Sequence, residues 1–258
     1  VTLTVRSVVV LVVAGVGGLG AFLWPLLARP DADFVPGSQT PLVLGALLVL
    51  ILAVVGVELT SEGLDVRALA VLGVLAAIGA ALRPLGTGTA GIELVFFLLI
   101  LGGRVFGPGF GFTLGAVTLF ASALLTGGVG PWLPHQMIAA GFVGLGAGLL
   151  PRAGRRWEIA LLCGYGAVSA FAYGWLMDFA FWPFALGVHG ELSWRPEATA
   201  ADNLHRFVLF NVATSMGWNL GRAATNVALI AILGPGVLVV LRRAARRAAF
   251  LPERVYPR

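Results

Sequence analysis

The residues best suited to chemistry sit inside an apolar tract near the C-terminus: Asn211, Ser215, Trp218, Asn219, Arg222 and Asn226. At about 100° per residue on a helix, all six fall on one arc of about 100°. Amides, a hydroxyl, an indole and a guanidinium donate and accept hydrogen bonds but supply no strong nucleophile. Such a stripe suits recognition of a ligand rich in amide or carboxylate groups. It does not suit lipid, so it must face protein or a wet cavity. Two readings follow, a ligand-binding face or a hydrogen-bonded seam between helices.

Other apolar runs carry polar groups at what reads as the same depth. Arg83 ends one run before Pro84, Glu93 opens the next, and Trp132, His135 and Gln136 open another. Tyr173, Trp175 and Asp178 close a fourth. Ions at that depth need partners. Asp178 is the expected partner of Arg222, and Glu93 that of Arg83. Trp132, Trp182 and Trp194 fit either a site or an interfacial aromatic belt. His135 lacks the convergent ligands that a metal requires, because His189 and His205 fall in one loop and Cys163 is the only cysteine. No metal or other intrinsic cofactor is expected. Signatures of hydrolases and kinases are missing, and the chain has no lysine for a phosphate-binding loop. Any ATP hydrolysis belongs to another chain. One catalytic alternative stays open, an intramembrane enzyme using His135 with Glu93 or Asp178 on a lipid.

The elements that position these residues are membrane helices. Hydrophobic residues make up 59% of 258 positions and charged residues 11%, with mean hydropathy +0.95. A soluble domain needs far more surface charge. Unbroken apolar runs of about 20 residues, without strict alternation, argue for helices over a barrel. Eight spans are expected, at 7–27, 40–58, 67–83, 90–104, 109–126, 134–150, 159–180 and 207–241. The first reads as a retained helix rather than a cleaved signal. The last is too long for one simple crossing and must project, bend or follow a separate segment.

The net charge of +5 comes with 17 basic residues, all arginine. They lie between apolar runs, where they read as orientation signals rather than a nucleic-acid surface. Arg67, Arg104, Arg152, Arg155, Arg156, Arg242, Arg243, Arg246 and Arg247 follow spans two, four, six and eight. The opposite loops hold Arg29, Arg83, Arg195 and Arg206 beside Asp31, Asp33, Glu191, Glu197 and Asp202. The arginine excess predicts both termini in the cytoplasm.

Small residues recur at spacing four in the third span, at Gly73, Ala77 and Ala81. Such stripes let helices approach closely. Together with ALAVLGVLAAIGAALRPLG (68–86), the GPWLPHQM motif within 91–151 and FNVATSMGWNLGRAATNVALIAILGP (210–235), the chain resembles the substrate-specific component of an energy-coupling factor transporter. The likeness covers about residues 64–245 and is nearest the cobalamin-associated branch.

The resemblance implies an all-α polytopic membrane protein of a prokaryotic cell membrane. A six-helix substrate-binding core (63–245) would follow two additional helices (1–62) and precede a cytoplasmic basic tail (246–258). It implies capture of a vitamin-like micronutrient from outside, with cobalamin or a related corrinoid as the best guess and another small vitamin as the alternative. Partners would be a transmembrane scaffold subunit, docking on Gly73, Ala77 and Ala81, and two cytoplasmic ATPases. The family's pocket region maps here to Arg83, Glu93, Trp132, His135, Gln136, Asp178, Asn219 and Arg222. The polar stripe adds Asn211 and Trp218 as ligand-binding candidates.

Overall fold

A computed structural model of the chain describes residues 5–27, 40–60, 66–86, 89–185, 187 and 189–249, without the side chains of 40–43, 155, 156 and 247–249. Arg29, Asp31, Asp33 and the tail beyond 249 lie outside the described residues. The described part is all helix and turn. In chain order the helices are α1 (Val5–Leu27), α2 (Thr40–Thr60), α3 (Val66–Leu82), α4 (Phe96–Phe106), α5 (Pro108–Thr126), α6 (Leu133–Leu149), α7 (Arg155–Phe181), α8 (Ala200–Thr214) and α9 (Met216–Ala249). Among the described residues, five stretches are long and apolar enough to cross a membrane, at α1, α3 with its following turn, α5, α7 and α9. This is a multi-spanning α-helical membrane protein.

The packing follows from small residues. α4, α5 and α6 meet backbone to backbone where Gly103, Gly111 and Gly144 converge. A Cβ at Gly144 would overlap the Gly111 carbonyl, and one at Gly103 would overlap the Gly144 carbonyl. Without a solvent-driven hydrophobic effect between helices in lipid, such close approach supplies the van der Waals contact that holds them. α5 packs most extensively with α6, and α7 with α9. α3 lies chiefly on α5, with lesser contacts to α4 and α9. α1 and α2 pack on each other and along α5–α8.

Two elements differ from the sequence expectation. The tract expected as one long helix is two, α8 and α9, joined at Ser215. The Thr199 hydroxyl caps the start of α8 by accepting from the Asp202 N–H at 3.2 Å. At its end the Thr214 hydroxyl donates to the Phe210 carbonyl at 2.7 Å, a back-bond that bends helices. The fourth span, expected at 90–104, is helical only from Phe96, because Ala90 (φ 44°) and Gly91 (φ 82°) turn the chain in left-handed conformations.

The arginine-rich end of the bundle is tied by one carboxylate. Arg104 Nε donates to Glu158 Oε1 at 2.9 Å, and Arg242 Nη2 donates to the same oxygen at 2.5 Å. Arg104 Nη1 also donates to the Leu150 carbonyl at 2.8 Å. The Arg104 and Glu158 side chains are 8% and 5% exposed and Arg242 is 45% exposed, so these contacts join α4, α7, α9 and the end of α6 around a buried pair, with Arg242 reaching in from solvent.

Candidate ligand-binding site

At the opposite end, α5, α6, α7 and α9 surround a cavity of about 560 Å³, bounded on one side by residues 83–86 and 91–93. Arg83, Glu93, Trp132, Gln136, Trp218 and Arg222 from the sequence reading all line it. Arg83 begins a short 3₁₀ turn over Arg83–Gly86. Its Nη2 donates to Gln136 Oε1 at 3.0 Å, and its Nη1 reaches Ser122 Oγ at 3.5 Å. This fixes the guanidinium across the cavity mouth, between α5 and α6.

Arg222 is buried in the wall, 7% exposed. Its Nε and Nη2 both donate to Glu93 Oε1, at 3.0 and 2.7 Å. Its Nη1 donates to Asn219 Oδ1 at 3.0 Å and to the Ala170 carbonyl at 3.2 Å. The guanidinium also lies 5.1 Å from the Tyr173 ring centre and 5.8 Å from that of Phe96. A cation set among ring faces, a carboxylate and amide oxygens is stable at membrane depth. Close backbone contact holds the strand of chain that carries Glu93: a Cβ on Gly91 would overlap the Trp218 carbonyl, and one on Gly221 would overlap that of Ala90.

The expected pairings do not form. Arg222 takes Glu93 and not Asp178, and Arg83 bonds Gln136 and Ser122. Asp178 instead accepts from Asn211 Nδ2 at 2.5 Å, across the α7–α8 contact. Asp178, Asn211, Asn219 and His135 do not line the cavity. Asn219 acts behind the wall, as a support for Arg222. Asn226 donates to the Gly166 carbonyl at 3.0 Å, a bond in the α7–α9 seam. The single stripe thus divides: Trp218 and Arg222 face the cavity, and the asparagines form the seam.

His135 is buried and packs edge-on against Phe22 of α1 and Phe181 of α7. Trp182 is buried under α8, and Trp194 packs against α1, so neither is a belt residue nor part of the cavity wall. The cavity gains Ser122, Thr126, Tyr173 and Met177, which were not among the candidates. Thr118, Ser122 and Thr126 stand four apart along α5, a signal of a shared polar face that the sequence offered. Among the described residues no group of three or more His, Cys, Asp or Glu is placed to hold a metal.

The wall is thus equipped to bind and not to react. It offers aromatic faces, an amide, hydroxyls, one arginine bridging the mouth and a carboxylate neutralised from behind. The family described as ECF transporter, substrate-specific component matches residues 67–237, well over half of the chain. The chain belongs to this family. Comparison with curated proteins and with solved structures finds no match. As a substrate-specific component it is a membrane-embedded transport subunit for a small molecule and not an enzyme, which removes the lipid-enzyme alternative. Substrate-specific components work with a transmembrane scaffold and ATPase subunits.

Proposed function

We propose that this substrate-specific component captures a vitamin-like nutrient in the cavity between α5, α6, α7, α9 and residues 83–86 and 91–93. The observation that carries the reading is the meeting of Arg83, Glu93, Trp132, Gln136 and Trp218 around one concave space. Residues 63–245 act as the capture core and 246–258 as a cytoplasmic tail. The cavity opens outward and both termini lie in the cytoplasm of a prokaryotic cell, in keeping with the arginine excess at the far end.

Cobalamin or a related corrinoid is one candidate. Trp132, Trp218, Gln136 and Arg83 supply the aromatic and polar contacts that its ring and amide arms need. The volume favours a second candidate. About 560 Å³ suits a drug-sized molecule, whereas a corrinoid with its nucleotide arm would project well beyond the mouth. Titration of the purified chain with cobalamin, riboflavin, thiamine, biotin and folate tests both. Saturable binding at micromolar or tighter is expected for one of them. Micromolar binding of a smaller vitamin with none of cobalamin rejects the corrinoid, and no binding of any small nutrient rejects the site. Arg83→Ala is expected to weaken the bound vitamin about 10- to 100-fold, the effect of losing a charged hydrogen-bond donor.

The scaffold docks on α3. Gly73, Ala77 and Ala81 are exposed along one face, and a Cβ at Gly73 would meet nothing within 4 Å. α1 and α2 make their main contacts elsewhere, so they do not occupy this face. Ala77→Trp is expected to abolish co-purification with the scaffold and ATPases while ligand affinity stays within two-fold or so, since bulk excludes a neighbouring helix without touching the cavity. Full assembly with bulky residues at 73, 77 and 81 together would reject the docking face.

A further inference from the structure

The two N-terminal helices make contacts that ligand capture does not explain. The last two turns of α1 lie beneath the segment joining α7 to α8. Phe22 is fully buried and meets the His135 ring edge-on, with centroids 5.4 Å apart. His135 meets Phe181, at the end of α7, in the same manner and at the same distance. Trp24 packs edge-to-face on Trp194 at 5.4 Å and lies 6.0 Å from Phe184. Trp194 Nε1 donates to the Pro25 carbonyl at 2.9 Å. That carbonyl belongs to the last turn of α1, where the helix itself offers no donor, so the indole acts as a cap.

The braced segment has little structure of its own. Among its described residues it holds two single 3₁₀ turns, Trp182–Phe184 and Gly190–Leu192, tied by a 2.7 Å bond from Trp182 Nε1 to the Leu192 carbonyl. α1, by contrast, is firmly seated. At Gly18 it crosses α6 so closely that a Cβ would stand 2.9 Å from both Ile138 Cγ2 and Phe142 Cζ. At the far end of the pair, Glu58 is buried with its carboxyl against Gly109, in the first turn of α5. The pair is thus fixed to the bundle near both ends, and its rim touches the two elements beside the cavity wall.

We propose that α1 is a built-in brace for the α6–α7 side of the cavity, with Phe22 and Trp24 as positioning residues. Phe22 holds His135 and so the start of α6, whose next residue, Gln136, accepts from Arg83. Trp24, with the Pro25 carbonyl, holds Phe184 and Trp194 of the segment after α7. The meaning for the cavity rests on the ligand-capture reading, but the brace is a property of the unliganded chain.

Hydrogen exchange of the full chain in lipid nanodiscs, with no vitamin added, tests it. Trp24→Ala is expected to speed exchange about ten-fold across 182–199, from the loss of two aromatic contacts and a strained cap. Phe22→Ala is expected to do so across 130–138. Amides of 96–126 should not change in either. Trp24→Phe should restore most of the protection. Trp194→Phe keeps a ring, loses the N–H and should give a smaller increase confined to the same segment. Leu52→Ala, at a lipid-facing position of α2, is the control. Unchanged exchange across 182–199 in Trp24→Ala and Trp194→Phe overturns the brace. Equal acceleration over the whole chain also overturns it, because α1 would then be a general stabiliser. Failure of the vitamin titration would sink the capture reading and leave this result standing.

Discussion

Arg222→Ala is expected to abolish measurable ligand binding and to lower the thermal midpoint more than any other change in the cavity wall. The guanidinium is 7% exposed and holds Glu93 by two of its nitrogens. Removing one partner of a buried ion pair costs about 3–5 kcal/mol. The Glu93 side chain is 27% exposed, so water recovers part of that and about 2–4 kcal/mol is expected. Glu93→Ala should cost a similar amount, because it leaves the more deeply buried cation without its acceptor. The double variant should cost less than the sum by about 2 kcal/mol. Arg222→Ala with Asp178→Asn should be additive, because Asp178 is bonded to Asn211. Thermal unfolding and binding free energy across both cycles decide the matter. Clean additivity for Arg222 with Glu93 would remove the clamp from the site.

Glu158→Ala is expected to cause the largest loss of stability anywhere in the chain and no change in affinity of the folded fraction. It strips the acceptor from Arg104, 8% exposed, and from Arg242 at once. The expected cost is about 3–5 kcal/mol. Glu158→Gln keeps an acceptor oxygen and should lose less, about 1–2 kcal/mol. A midpoint for Glu158→Ala equal to that of the unchanged chain would show that the arginine end does not hold the bundle together.

Helix class and the polar stripe were legible because both depend on periodicity and composition. Asn219, Arg222 and Asn226 share a buried face as their spacing implied. The partner of Arg222 was not legible. Counting residues puts Asp178 and Arg222 at similar depth, but Arg222 bonds the Ala170 carbonyl, about two turns before Asp178 on α7, and Asp178 is level with Asn211. Depth says nothing about azimuth, and here the turn at Ala90 and Gly91 brings Glu93 across to α9. His135 and Gln136 show the same limit. Neighbours on a helix point about 100° apart, so only one of them faces the cavity. The other meets Phe22 of the additional N-terminal pair, whose presence was expected but whose packing against α6 was not. The break at Ser215 was signalled by the excess length of the last tract, but its position was not, because the polar periodicity runs through it unchanged.

α4 has eleven residues, Phe96–Phe106. At 1.5 Å per residue it rises about 16 Å, roughly half of a hydrocarbon layer of about 30 Å. Protein buries every one of its residues from Phe96 to Gly103, so lipid has no need to thin around it. A rod of half length leaves room beyond its first turn, and the cavity lies on that side, with Glu93 in its wall just before α4 begins. At the other end of α4 the bundle is closed instead, by the Arg104–Glu158–Arg242 knot.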